Sequence, residues 1–419
     1  MSLRHLFAGF VFLFSSGLLA WGQEAPLNLD ELVKEALRNN PEIAASQKRY
    51  EASRQRPTQA SSLPDPMFSP GYTSGGNPLP GAGLGTNPTA AIGFMLSQEV
   101  PFPGKLKLRG EIAGKEAEAE YQNYDLAQLS VISRVKQAYY RLSYAYAASG
   151  VLERNRELLT KLLRITEARY SVGRAAQQDV YKTQTQLSIL ETRLVQLQRE
   201  KDAREAELNS LLNRRPGSPL GKPPEPQPQV LPTTLSDLYK YAEQNAPMLS
   251  RDQKMIERSE LAVNLARKDY YPDYTISAGY FNQGSMPAMY QARVDIKVPL
   301  YFWRKQRAEV AEQAQSLVES RRNYEATNQN LHFRIKDDYL MADTSSRLVD
   351  LYGKTVIPQS SLALESSLSS YETGTVDFLS VLTNYVTVVE YEMNYYEELQ
   401  NFYLALSRLE EMTGLSLIK

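Results

Sequence analysis

Histidine, cysteine and clustered carboxylates are the side chains that most often carry out chemistry, and this chain has few of them. It contains no cysteine and only two histidines, His5 and His332. Without thiols there is no thiolate catalysis, iron–sulfur cluster or cysteine zinc site, and two imidazoles leave little room for a metal site or a Ser-His-Asp triad. No G-x-S-x-G motif occurs, and the Gly-rich stretch 75–85 lacks the lysine and the strand-loop-helix context of a phosphate-binding loop. The sequence therefore predicts no enzyme, no cofactor and no bound metal.

Net charge and mean hydropathy exclude two further classes of protein. The 419 residues include 47 basic and 48 acidic side chains, a formal net charge of -1, so no basic field favours nucleic acid. A mean hydropathy of -0.43 argues against a bundle of transmembrane helices, each of which needs about 20 mostly apolar residues. Strands of a membrane β-barrel alternate between polar and apolar residues and average out, so that class stays open.

The N-terminus has the pattern of a secretory signal peptide. Arg4 precedes an apolar run over 6–19, and Ala20 and Gly22 are small residues ahead of Gln23. This pattern predicts cleavage after residue 22. The alternative is an N-terminal anchor helix, which is disfavoured because the serines and glycine at 15–17 interrupt the run.

The rest of the chain consists of two sequence repeats. Three landmarks recur in the same order, after 206, 198 and 201 positions: Leu29-Asp-Glu-Leu32 at Leu235-Ser-Asp-Leu238, Val100-Pro101 at Val298-Pro299, and Tyr170-x-x-Gly173 at Tyr371-x-x-Gly374. This spacing predicts a first repeat over 23–215 and a second over 233–419. The proline-rich stretch 216–232 between them is predicted to be a linker.

Each repeat is predicted to contain helices, two strands and a long helical hairpin. An amphipathic helix opens each repeat, over 28–54 and 234–269. No proline interrupts 104–215, and residues 105–171 as one helix would span roughly 100 Å, too long for a globule. Gly353 and Pro358 predict a kink in the second long helix. A heptad pattern starting at Val381 predicts antiparallel coiled-coil packing, with hairpin tips at Gly173 and Gly374.

The strand between the second repeat's opening helix and its hairpin alternates without exception. Apolar side chains face one way over 290–298, and the other face carries Gln291, Arg293, Asp295 and Lys297. Such a strand suits lipid on one side and water on the other, although a soluble sheet with one wet face shows the same pattern. The signal peptide and the helix length favour the membrane. Four strands cannot close a barrel, which needs about eight, so three copies would supply twelve strands and a tube of twelve helices.

This arrangement resembles the TolC-like outer membrane efflux protein family over essentially the whole mature chain. The resemblance rests on the duplication and on four local motifs: Asn39-Asn-Pro-Glu-Ile43, Gln98-Glu-Val-Pro-Phe-Pro-Gly-Lys105, Val356-Ile-Pro-Gln359, and the Tyr-x-x-Gly tips followed by Asp179-Val180 or Ser380-Val381. The Pro-Phe-Pro-Gly-Lys string is similar to members associated with heavy-metal cation efflux pumps.

The resemblance implies a mainly α-helical fold with a small transmembrane β part, assembled as a homotrimer in outer-membrane lipid. A 12-stranded barrel would continue into a periplasmic helical tunnel. The implied function is the exit duct of a tripartite efflux pump of RND or ABC type, or of a type I secretion system. Its implied partners are a periplasmic adaptor and an inner-membrane pump, with no nucleic acid. The alternative is a non-channel periplasmic coiled-coil adaptor or scaffold.

The resemblance also implies roles for particular residues. The adaptor-docking tips correspond to Val172-Gly173-Arg174 and Thr373-Gly374-Thr375. Rings of aspartate close the tunnel in some relatives. Asp179 matches the first acid, but Ser380 and Thr383 stand at the second-half positions, so Asp377 is the substitute candidate. For either aspartate, a solvated or helix-capping role is the alternative. The barrel lumen would be lined by Gln291, Arg293, Asp295 and Lys297.

Overall fold

The computed structural model describes residues 26–76 and 78–418, so the predicted signal peptide 1–22 lies outside the described residues. The first half contains α1 (Leu29–Asn39), α2 (Pro41–Ser53), α3 (Arg56–Ser61), β1 (Met67–Thr73), β2 (Ala91–Val100), α4 (Lys105–Ser171) and α5 (Gln177–Leu211). The second half contains α6 (Leu235–Asn245), α7 (Pro247–Lys268), β3 (Asp273–Asn282), β4 (Met289–Lys297), α8 (Lys305–Leu351), a π-helical turn (Tyr352–Val356), α9 (Ile357–Thr373) and α10 (Phe378–Thr413).

The opening helix of each half is broken in two, which corrects the prediction of a single helix over 28–54 and over 234–269. The break lies before Pro41 and before Pro247. A residue preceding proline is pushed into extended conformation, and Asn40 adopts φ -68° and ψ 125°. The Asn40 side chain then accepts a hydrogen bond from the Glu42 N–H at 2.8 Å and caps the second helix.

The first long helix begins and ends where the sequence predicts. The helix α4 runs for 67 residues without interruption, about 100 Å at 1.5 Å per residue. Its counterpart is interrupted by the π-helical turn, which contains Gly353 and ends two residues before Pro358. Proline has no N–H to continue the α-helical ladder, and the kink predicted from Gly353 and Pro358 coincides with this local change in hydrogen bonding.

Packing sets the order of the long helices as α5, α4, α10 and then α8 with α9. The helix α4 packs against both α5 and α10, and α10 packs against α8 and α9. The heptad seam of α10 is buried at Val381, Tyr385 and Leu406. Glu392 interrupts the seam, and its carboxylate accepts a hydrogen bond from Asn155 Nδ2 on α4 at 2.9 Å. A polar partner therefore satisfies the one charged position in the seam.

The proline-rich stretch 216–232 forms neither helix nor strand. It still packs against the helices, because Leu220 is buried in the main core cluster and the Tyr403 hydroxyl donates to the Gln227 carbonyl oxygen.

The four strands form one antiparallel sheet in the order β1-β2-β3-β4. The central pair β2 and β3 joins the two halves, with Leu96 opposite Ala278. The outer strands β1 and β4 are edges of the sheet. In the described part of the chain, no helix is both long and apolar enough to span a membrane.

Candidate functional site

The first hairpin tip is a Schellman motif. Gly173, at φ 71°, donates its N–H to the Tyr170 carbonyl oxygen at 2.9 Å, and Arg174 N–H bonds the Arg169 carbonyl oxygen at 2.8 Å. The pair of bonds caps the last carbonyls of α4 and turns the chain towards α5. Val172 at this tip is exposed.

The second tip has the same geometry. Gly374, at φ 84°, donates its N–H to the Tyr371 carbonyl oxygen at 3.0 Å, and the Thr375 N–H donates to the Ser370 carbonyl oxygen at 2.9 Å. The hydroxyls of Thr373 and Thr375 each donate to the same Ser370 oxygen at 3.0 Å. At both tips the positive φ favours glycine, because most residues with a Cβ are strained in this conformation. Asparagine is the residue with a side chain that tolerates it best.

A contact between the two tips, which the sequence analysis did not identify, involves Arg169 near the end of α4. Its guanidinium donates to the main-chain oxygen of Tyr371 and, at 3.1 Å, to that of Glu372. The guanidinium carbon also lies 4.6 Å from the centroid of the Tyr371 ring, a cation–π distance. Tyr371 is 3% exposed and packs edge-on against Phe378. The cation therefore sits at the carbonyl end of α9, where the helix dipole favours positive charge.

The aperture candidates lie just beyond the tips, at the start of the returning helices. Asp179 is a half-buried residue in the first turn of α5. Asp377 is the N-cap residue of α10, and its carboxylate accepts a hydrogen bond from the Ser380 hydroxyl. Thr383 is exposed one turn further along α10. The structure therefore brings Asp377 and Ser380 together, while Asp179 and Asp377 occupy different helical positions in their two halves.

The face of β4 that carries Gln291, Arg293, Asp295 and Lys297 is polar, as the alternation predicts. Arg293 pairs with Asp295 on the same strand, with Nε and Oδ2 2.9 Å apart. Gln291 and Lys297 share this face, opposite Gly279 and Asp273 on β3, and are exposed. All four lumen candidates therefore lie on one face of β4.

The opposite face of the sheet is apolar and exposed. A row of rings crosses all four strands, with centroids 5.5, 6.1 and 5.5 Å apart: Phe68, Phe94, Tyr280 and Tyr290. Ile276 and Val294 lie on the same face. At the helical end of the sheet, the exposed Tyr301 and Phe302 rings each pack edge-on against the exposed Trp303 ring.

A buried ion-pair cluster joins the sheet to the long helices. The ammonium of Lys105, whose side chain is 3% exposed, lies 3.0 Å from an Asp269 oxygen and 2.9 Å from an Asp273 oxygen. Burial alone would lower the pKa of Lys105, but hydrogen bonds and charge from these carboxylates hold it above its usual value. The Asp273 carboxylate also accepts the Phe102 N–H at 2.8 Å. The cluster fixes the turn from β2 into α4 against the start of β3.

The remaining histidine lies elsewhere. The His332 ring packs against the Tyr239 ring at a tilt, with ring centroids 4.8 Å apart. Within residues 26–76 and 78–418, no group of three or more histidine, cysteine or acidic side chains converges to hold a metal ion.

Known structures share this fold. VceC of Vibrio cholerae is 18% identical at a TM-score of 0.78, covering 92% of this chain and 96% of that one. The channel protein CusC is 16% identical at a TM-score of 0.78, and the match covers 93% of each chain. MtrE of Neisseria gonorrhoeae, an outer membrane channel, is 17% identical at 0.73, covering 90% of this chain and 88% of that one. No curated protein sequence matches the chain.

The sequence itself matches the family model described as "Outer membrane efflux protein" over residues 32–214 and 238–415. The match covers most of both halves, and the family name places its members in the outer membrane. The chain therefore belongs to the outer membrane efflux protein family.

Proposed function

We propose that three copies of this chain form a passive conduit through the outer membrane and the periplasm. One observation carries the proposal. A sheet with an exposed apolar face, charged side chains of β4 on its other face and two open edges continues directly into helices about 100 Å long. Lipid would cover the apolar face and water would fill the polar side.

The open edges argue for several copies. Unpaired backbone groups cannot be left in lipid, and four strands are about half of the smallest closed barrel. Three copies supply twelve strands, and the four long helices of each copy supply a tube of twelve. The aromatic cluster of Tyr301, Phe302 and Trp303 lies where a barrel would meet the periplasmic side, a position at which membrane barrels carry aromatic girdles.

The two hairpin tips would dock a periplasmic adaptor, which connects the conduit to an inner-membrane pump. Both tips are glycine turns with the same backbone hydrogen-bond pattern at the far end of the long helices, which makes them repeated features that one partner can recognise. The conduit performs no chemical step itself. Asp179 and the linked Asp377 and Ser380 lie at the tunnel end nearest the tips, where carboxylates would act on charged cargo.

Conductance in planar bilayers tests the proposal. The purified protein is expected to migrate as a heat-modifiable trimer from the outer-membrane fraction and to conduct ions. A variant lacking residues 274–298, which removes most of β3 and all of β4, is expected neither to insert nor to conduct. Recovery of the intact protein from the soluble periplasm without conductance would instead support a coiled-coil adaptor or scaffold.

A further inference from the structure

The two halves are equivalent in detail at the junction between sheet and helices. Phe68 on β1 lies directly opposite Leu96 on β2, just as Ile276 on β3 lies directly opposite Val294 on β4. Leu96 and Val294 are 198 positions apart, the shift already seen at Val100-Pro101 and Val298-Pro299. Strand β2 therefore maps onto β4 after 198 positions, and β1 onto β3 after 208. The second shift aligns Pro64-Asp65 with Pro272-Asp273.

The long helices are equivalent after 200 positions. The helices α4 and α8 begin at Lys105 and Lys305. Three buried positions of α4 match three of α8 with this shift: Val131, Val135 and Leu142 with Leu331, Ile335 and Ala342. Lys305 is therefore the counterpart of Lys105, and Asp65 is the counterpart of Asp273.

Lys105 finds its acid because β2, the strand that leads into its helix, lies beside β3. The counterpart strand β4 leads into α8 but forms an edge of the sheet, and Asp65 precedes β1 at the opposite edge. Lys305 and Asp65 are both exposed in the single chain. The strand equivalent to β3 for Lys305 must come from another copy.

We infer that Lys305 of one copy binds Asp65 of the next, reproducing between copies the Lys105 to Asp273 contact seen within one chain. The inference rests on the proposed trimer and specifies how its subunits meet. Helix packing has the same form. Within one chain, α4 packs against α2 and α3 of its own half and against α7, their counterpart in the other half. The helix α8 packs against α7 of its own half, so α2 and α3 of the next copy would pack against its other side.

The two junctions differ in the acids available to each lysine. The Lys105 site has a second acid, Asp269, at the end of α7, whereas α3 ends at the neutral Ser61 and Ser62. Beside Lys305, one acid comes from its own helix. Glu309 lies one turn further along α8 and lines the same cavity of about 340 Å³ as Lys305, and Asp269 and Asp273 of the same chain line it too. Asp65 of the next copy would add a carboxylate to those that the chain itself supplies around Lys305.

Cross-linking tests the pairing directly, because the sequence contains no cysteine. In the full-length trimer, Asp65→Cys with Lys305→Cys and a short thiol-reactive bifunctional reagent are expected to give covalent dimers and trimers on a denaturing gel. Lys105→Cys with Asp273→Cys is the matched control within one chain and should run as monomer. Asp65→Cys with Arg307→Cys places the thiol about 200° around the helix and should give no ladder.

Charge exchange provides a second measurement. Asp65→Lys and Lys305→Asp should each speed dissociation of the trimer by about tenfold, and the double exchange should recover most of that loss. Additive effects in the double variant, or a ladder no stronger than in the Arg307→Cys control, would overturn the pairing while leaving the channel proposal intact. A wild-type protein that never forms a trimer would overturn both.

Discussion

Arg169 at the end of the first long helix donates hydrogen bonds to the main-chain oxygens of Tyr371 and Glu372 at the end of the helix that leads into the second hairpin tip. Two segments about 200 positions apart are thereby held as one unit. The relative position of the tips depends on this side chain as well as on the coiled-coil packing.

Replacing Arg169 with alanine should loosen the tips relative to each other. The substitution removes the donors to α9 and the cation over the Tyr371 ring. Spin labels at Ser171→Cys and Glu372→Cys should show a broader distance distribution within each protomer. Arg169→Lys keeps the charge but lacks the planar fork, so it should broaden the distribution to an intermediate extent. Unchanged distances in Arg169→Ala would show that packing alone positions the tips.

Replacing Gly173 or Gly374 with leucine should abolish export while leaving the trimer and its insertion intact. Both glycines have positive φ, and a Cβ there costs about 1–2 kcal/mol. The strain would distort the turn that an adaptor contacts. Adaptor binding and cellular export are the measurements, and glycine to asparagine is the control because asparagine tolerates this conformation. Normal export by both leucine variants would refute docking at the tips.

Replacing Lys105 with methionine should destabilise the junction between sheet and helices. The substitution leaves Asp269 and Asp273 facing each other without their cation. Breaking a fully buried pair costs 3–5 kcal/mol, and the partial exposure of both acids reduces the expected cost to about 2 kcal/mol. Thermal unfolding of the detergent-solubilised trimer measures the change, with Lys105→Arg as the control that keeps the charge.

The contribution of Lys105 to the stability of the folded protein should decrease at alkaline pH. Its pKa is raised in the folded protein, so the folded state holds this proton more tightly than the unfolded state does. The stabilisation is therefore complete below the unfolded pKa of about 10.4 and is lost as pH rises through the higher folded value. The stability difference between wild type and Lys105→Met should stay constant from neutral pH to about pH 10 and shrink above it. A difference that shrinks already between pH 7 and 9 would contradict this assignment.

Replacing Val294 with arginine should impair membrane insertion. Val294 lies on the apolar face of β4 and is 61% exposed in the single chain. An arginine facing lipid costs about 2–4 kcal/mol near the bilayer midplane. Gln291→Arg, on the polar face of the same strand, is the matched control and should insert normally. Equal insertion of the two variants, measured by protection from protease in liposomes, would argue against lipid on the apolar face.

Trp303 should report contact with the membrane. The sequence has two tryptophans, and Trp21 falls within the predicted signal peptide. Trp303 lies in the exposed aromatic segment between β4 and α8. In liposomes its fluorescence should be quenched by lipids brominated near the headgroup more strongly than by lipids brominated near the chain end. The reverse order would place this segment deeper than the interface.

The local features of the fold could be predicted from the sequence. The bounds of α4, the glycine tips, the alternation of β4 and the irregular turn before Pro358 follow from neighbouring residues, because helix propensity, positive φ and strand pleating are local. The split of each opening helix is also encoded locally, by Asn40-Pro41 and Ala246-Pro247, because the residue before a proline is pushed out of helical conformation. The site roles of Asp179, Asp377 and the tips remain predictions.

The sequence by itself determined the duplication, the helical hairpins and the amphipathic strands, and its family membership follows from the residues alone. Only the tertiary structure decided which side chains meet across the two halves. Arg169 reaches Tyr371, and Lys105 reaches Asp273, because β2 pairs with β3 and α4 packs against α10. Contacts between residues so far apart depend on how elements pack, and no periodicity in one sequence specifies that choice.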